Sequence, residues 1–174
     1  LKNTLLLESN PKDVSIAEFN QSVDLFSDAI YRFILKNMRD EDEARDVVQD
    51  TFEKVWLKAS EVSFEKSKSY LFTTAYRLML ERFRKKKRVT SIESSLRVVA
   101  VNSTPEFDLK KVLNEAVERL PEDQRAVILL RDYEGYSYQE IGEITGLNES
   151  QVKVYIFRAR VSLKNYIVHA ENLV

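Results

Sequence analysis

Residues 137–160 constrain the fold of this chain more than any other stretch. Ser137 and Glu140 form an S-x-x-E capping box, with Tyr136 and Ile141 placed as a hydrophobic staple, so a helix starts here. Gly146 stops it, because glycine takes the left-handed conformation at a helix C-terminus without penalty. Asn148 and Gln151 then open a second helix, and Leu147 and Val152 repeat the staple. Val152, Ile156, Ala159 and Leu163 recur at helical spacing and predict a buried edge. Lys153, Tyr155, Arg158 and Arg160 are left largely outside. Two capped starts bracketing one glycine fix the angle between two helices, and a basic helix offered this way fits the major groove of DNA.

The rest of the chain predicts helices as well. Ile16, Phe19, Val23, Phe26, Ile30 and Phe33 predict a helix over 14–36. Asp40 and Glu43 predict the start of a helix over 42–59, with Ala44, Val48, Phe52, Val55 and Ala59 as its apolar stripe. Leu71, Ala75, Leu78 and Phe83 predict a third over 69–87. From Val89 to Asp108 the periodicity fails, and Ser, Thr, Asn and Pro punctuate a linker. Leu96, Val98, Val99 and Val101 within it are more apolar than a free tether needs. A helix near 109–119 follows, then Pro121 at a first helical position, with the next helix running to about Asp132.

The 174 residues include no cysteine, which excludes disulfides and thiolate metal sites. His169 is the single histidine, which excludes a histidine–metal cluster and a histidine-based triad. Three glycines, three prolines and 32% charged residues suit an all-helical chain. No apolar run approaches the roughly 20 residues of a membrane span, and Leu5-Leu6-Leu7 is too short for a signal-peptide core. A cytoplasmic protein is expected. The chain begins at Leu1, which leaves room for an initiator or short leader ahead of it.

A net charge of −1 argues at first against a DNA-binding role. The charge is segregated, however. Residues 40–53 are acidic, and Arg82–Arg88 are strongly basic. Such segregation predicts two partners on two faces.

Three stretches in order carry a family resemblance covering about residues 20–167. They are Asp46-Val47-Val48-Gln49-Asp50-Thr51-Phe52-Glu53-Lys54-Val55-Trp56, the run from Tyr70 through Arg88, and Leu120-Pro121-Glu122-Asp123-Gln124-Arg125 through Arg160. Together they resemble the extracytoplasmic-function (ECF) class of bacterial RNA polymerase sigma factors. The resemblance implies an all-α chain of two small helical domains. Residues 1–88 would be the region 2 domain, 89–108 the linker, and 109–174 the region 4 domain with its helix-turn-helix.

It also implies sites. Asp46, Gln49, Asp50, Phe52 and Glu53 would dock on core RNA polymerase, where acidic character suits a basic partner. Phe64, Lys68, Tyr70, Tyr76 and Arg77 would meet the −10 element. Arg84, Lys85, Lys86, Lys87 and Arg88 would take phosphates, with salt-dependent and largely sequence-blind affinity. Arg77 stands where the family often has asparagine, so base preference should differ. Arg125, Arg131, Ser150, Lys153, Val154, Tyr155, Phe157 and Arg158 would meet the −35 element. Val154-Tyr155 replace a common serine–arginine pair, which removes some polar readout. Opening a duplex costs about 1.4 kcal/mol per step, and stacking a captured base returns about 1–3 kcal/mol. Polymerase contacts must supply the difference, so such a protein acts only with its enzyme.

The expected partners are core RNA polymerase, promoter DNA and an anti-sigma factor, with no cofactor, metal or small-molecule substrate and no catalytic residues. One alternative is a helix-turn-helix regulator that binds DNA without acting as a polymerase subunit. The first half lacks the strand–helix alternation of a receiver domain, which disfavours it. An enzyme acting on nucleic acid has no plausible metal-binding cluster to support it.

Overall fold

The computed structural model describes residues 15–59, 62–90 and 109–171, and every regular element among them is helical. The helices are α1 (Ile16–Met38), α2 (Glu41–Trp56), α3 (Ser67–Thr90), α4 (Leu109–Glu118), α5 (Glu122–Ile128), α6 (Tyr138–Thr145) and α7 (Glu149–Glu171). A short 3₁₀ turn, Phe64–Lys66, leads into α3, and a π-helical turn, Leu129–Tyr133, continues α5. The linker residues Leu96, Val98, Val99 and Val101 lie outside the described residues.

Helices α1, α2 and α3 pack on one another as the first unit. Its core holds Ile30, Phe33, Ile34, Ala44, Val47, Val55, Leu71, Phe72, Ala75 and Met79. Ser15 starts α1 with a full capping box to Glu18, which the sequence reading passed over. On α2 the buried edge is Ala44, Val47, Thr51 and Val55. Val48 and Phe52, assigned to the stripe from spacing alone, are half-buried at its margin. The cause is that α2 is flanked by both α1 and α3, which rotates its buried edge by one position. Thr51 is tolerated inside because its hydroxyl donates to the Val47 carbonyl at 2.6 Å.

Helices α4 to α7 form the second unit, with α5 and α4 against α7. Pro121 sits at the N-cap of α5, one residue earlier than expected, and α5 begins at Glu122. The π-helical turn lets the Glu134 amide reach the Leu129 carbonyl at 3.2 Å. The two units are in contact, chiefly α3 on α6 and α1 on α5.

Candidate nucleic-acid and polymerase interface

The two-helix motif forms as its local chemistry dictates. The Glu140 amide donates to the Ser137 hydroxyl at 3.2 Å, and the Ser137 amide donates to the Glu140 carboxylate at 2.8 Å. That hydrogen bond holds the Glu140 carboxyl below its ordinary pKa. Asn148 and Gln151 bond reciprocally, both at 2.9 Å. Gly146 adopts φ 78°, as the turn requires. Gly142 is needed for a different reason: a Cβ there would meet the Leu147 carbonyl oxygen at 2.8 Å. No sequence pattern signalled this close approach.

Helix α7 is two-sided. Val152, Ile156 and Ala159 are fully buried. Lys153, Val154, Phe157 and Arg158 are exposed, with Phe157 69% exposed despite being a large apolar ring. Tyr155 is half-buried rather than outside. Ser150 is exposed in the first turn. Lys153 pairs with Glu149 at 2.6 Å, and that bond raises its pKa. Arg131 stands beside this face but is engaged: it donates to the Tyr136 carbonyl at 2.7 Å and lies 4.9 Å over the Tyr138 ring.

Arg125 is not on this face. It is 6% exposed, and its guanidinium donates to the carbonyls of Val117, Asn37, Glu118 and Leu120 at 2.7–3.1 Å. Burial, then the neighbouring Arg39, lowers its pKa from an ordinary arginine's. In this arrangement it cannot reach a phosphate.

On α2, Asp46, Gln49 and Glu53 are exposed, and Asp50 is half-buried. Phe52 is half-buried against the edge of Phe19, at 6.3 Å between ring centres. Trp56 is 44% exposed and lies 4.8 Å from Phe19, which adds an aromatic end to this face. Helical spacing used Phe19 only to predict its helix, and nothing in the sequence singled out Trp56 as exposed.

The acidic and basic stretches are not on separate faces. Arg82 pairs with Asp50 at 2.7 Å, Glu43 at 2.8 Å and Asp46 at 3.5 Å. Lys86 pairs with Asp40 at 3.1 Å and Glu43 at 3.6 Å. Each helix therefore partly neutralises the other. The remaining basic side chains, Arg84, Lys85, Lys87 and Arg88, are exposed, with Lys87 3.1 Å from Glu122 of the second unit.

Between α2 and α3 runs a continuous open groove. One part, about 370 Å³, is lined by Lys54, Leu57, Lys58, Tyr70, Thr74, Arg77, Leu78 and Glu81. The next, about 650 Å³, shares Lys54, Leu57, Leu78 and Glu81 and reaches Asp50, Glu53, Arg82 and Lys85. The groove brings Tyr70 and Arg77 beside the α2 face. Phe64 is half-buried in the 3₁₀ turn. Tyr76 and Lys68 are elsewhere. Tyr76 is 4% exposed with its hydroxyl pKa pushed up to about 12, chiefly by burial and then by Asp123 and Glu122. Lys68 lies 4.7 Å over the ring of Tyr136 in the second unit.

Comparison with known proteins agrees with this architecture. Residues 23–89 match the sigma-70 region 2 model, and residues 110–163 match the sigma-70 region 4 model. The ECF RNA polymerase sigma factor SigM of Bacillus subtilis is 29% identical over 145 residues, covering 80% of this chain and 89% of the relative. SigW of the same organism is 26% identical over 165 residues, covering 86% and 88%. The sigma factor RpoE of Bartonella quintana, solved with the anti-sigma factor NepR, superposes with a TM-score of 0.74 at 27% identity, covering 87% of this chain and 98% of that one. CnrH, solved with the cytosolic domain of CnrY, gives 0.64 at 25% identity, covering 87% and 88%. The chain belongs to the sigma-70 family and is an ECF sigma factor, a promoter-directing subunit of RNA polymerase. Sigma factors are not catalytic enzymes in the usual sense. Among the described residues no helix is long and apolar enough to cross a membrane.

Proposed function

We propose that residues 1–88 dock on core polymerase and engage the −10 element, that 89–108 tether, and that 109–174 read the −35 element. The edge of α7 carries this reading: four side chains of DNA-reading chemistry stand exposed on a helix whose other edge is buried. Lys153 and Arg158 suit guanine edges or phosphates, and Val154 and Phe157 suit thymine methyls. Ser150 gains from the positive end of the α7 dipole for a phosphate contact.

The exposed side of α2, with Asp46, Gln49, Asp50, Phe52 and Glu53, is the polymerase dock, and Phe19 and Trp56 extend it. Tyr70 and Arg77 in the adjoining groove are the accessible candidates for the −10 strand. Arg84 to Arg88 follow the backbone by charge. The protein performs no bond-breaking chemistry of its own and works in the cytoplasm. An anti-sigma protein restrains it, a reading supported by the likeness to RpoE, a sigma factor solved with the anti-sigma factor NepR.

The test is reconstitution with core polymerase and selection of promoter sequences. Promoter-specific initiation is expected. The Gln49→Ala, Asp50→Ala double variant should weaken polymerase binding with helicity unchanged. Arg158→Ala should cost about 1–3 kcal/mol on the selected site. Dimeric DNA binding without polymerase association would favour the regulator reading instead.

A further inference from the structure

Within the first unit, the residues read as a polymerase dock and those read as phosphate contacts hold one another. The Arg82 guanidinium of α3 donates to Glu43 at 2.8 Å and to Asp50 at 2.7 Å, and lies 3.5 Å from Asp46. One turn on, Lys86 reaches Asp40 at 3.1 Å and Glu43 at 3.6 Å. Glu43 is thus shared by both cations, and every one of these carboxylates belongs to α2 or its N-cap. A guanidinium grips carboxylate oxygens with the same planar fork that it offers a phosphate. To Arg82, Glu43 and Asp50 stand in for the oxygens of a nucleic-acid backbone.

The junction walls the open groove of about 650 Å³. Four carboxylates and four cations line that part of it. A strand laid there meets no net positive charge, and its phosphates face Asp50 and Glu53 as well as Arg82 and Lys85. Attraction and repulsion then cancel at the short range where either would act. The balance is conditional, however. Asp46, Asp50 and Glu53 also belong to the outer side of α2, where Asp46 and Glu53 are exposed. A basic partner seated on that side engages the carboxylates that now hold Arg82. Their charge is then satisfied by the partner, and the cations of α3 are left for phosphate.

We propose that Arg82 is a further backbone contact for the −10 strand, held in reserve by Glu43 and Asp50, and that docking on polymerase hands it from carboxylate to phosphate. Polymerase and strand are then positively coupled through one side chain, and the coupling is reciprocal. The hand-over rests on the reading of α2 as the dock; the restraint of Arg82 does not.

The restraint is tested on the whole chain alone, with a fluorescein-labelled single-stranded oligodeoxynucleotide as the probe. Glu43→Gln with Asp50→Asn removes both arms of the fork. Glu41→Gln with Asp42→Asn removes the same charge, but those side chains pair with Arg45 of their own helix, which does not line the groove. The first pair should tighten binding about fivefold more than the second, the lower end of ordinary coupling between sites. It should also steepen log Kd against log salt by about 0.7, for one added phosphate contact. Glu43→Gln alone should show the same effect in smaller measure, which keeps the comparison if the double variant loses helicity. Equal tightening by the two pairs overturns the restraint.

The hand-over is tested in the complex with core RNA polymerase, on a promoter fragment whose −10 region is single-stranded. Arg82→Gln should lower the salt slope of that complex by about 0.7, and should leave the slope of the chain alone unchanged. Arg82→Lys should restore it, since a point charge serves a phosphate even where it cannot hold the fork. A parental slope for Arg82→Gln in the complex, or an equal loss with and without polymerase, overturns the hand-over. A parent chain that fails to bind polymerase counts against the dock and takes the hand-over with it, while the oligonucleotide comparison still decides the restraint.

Discussion

Arg82 of α3 donates to Asp50 of α2 at 2.7 Å, joining the basic stretch of the chain to the face that would meet polymerase. The same guanidinium donates to Glu43 at 2.8 Å, so one side chain is forked between two carboxylates. Its side chain is 23% exposed, which limits screening by water. Arg82→Ala would leave two carboxylates facing each other on α2, at a cost of about 1–2 kcal/mol in urea unfolding. Arg82→Lys should recover part of this, since an ammonium is a point charge and cannot hold the fork. Equal stability of Arg82→Ala and the parent chain would show that the pair is a solvent-screened contact.

Acid should loosen the same junction. The Arg82 hydrogen bond holds the Glu43 carboxyl below its ordinary pKa. A carboxylate depressed in the folded state binds fewer protons there than in the unfolded chain. Its contribution is therefore complete above the unfolded value, about pH 4.3, and is lost as pH falls through the lower folded value. Unfolding free energy measured against pH should drop below that point. Glu43→Gln should lose stability at neutral pH and flatten the acid limb.

The capping residues of α6 make a separate, local prediction. Ser137→Ala removes the hydroxyl that accepts from the Glu140 amide, and should cost about 1 kcal/mol. Gly146→Ala forces a Cβ onto a residue at φ 78°, at about 1–2 kcal/mol. Both should lower Tm, and both should weaken DNA binding by misaiming α7 even at temperatures where the chain stays folded.

These caps were legible because they are local. Ser137, Glu140, Gly146, Asn148 and Gln151 act within a few residues, so their chemistry can be read without knowing what packs where. The same holds for the exposed edge of α7, which follows from the spacing of Val152, Ile156 and Ala159. Arg125 and Tyr76 were not legible. Both resemble surface DNA contacts in sequence, yet Arg125 bonds to Asn37 across 88 residues and Tyr76 is buried, within electrostatic reach of Asp123 and Glu122 of the second unit. Nothing in the local pattern encodes a partner that arrives from another unit. Thr51 makes the same point on a smaller scale: spacing cannot tell which of two adjacent edges of α2 is buried when two helices flank it.

Phe157 offers the sharpest test of the α7 reading. It is 69% exposed, so Phe157→Ala should change stability by no more than about 0.5 kcal/mol. A ring held out in water on a reading helix is useful only when something covers it. If it covers a thymine methyl, the substitution should cost about 1 kcal/mol on the selected −35 duplex. Replacing that thymine by deoxyuridine removes the methyl and nothing else. On the deoxyuridine duplex the penalty for Phe157→Ala should then vanish, because the interaction has already been deleted from the other side. A penalty that persists unchanged with deoxyuridine at every thymine of the site would place the ring against sugar or backbone, and the sequence preference of α7 would then rest on Lys153, Val154 and Arg158.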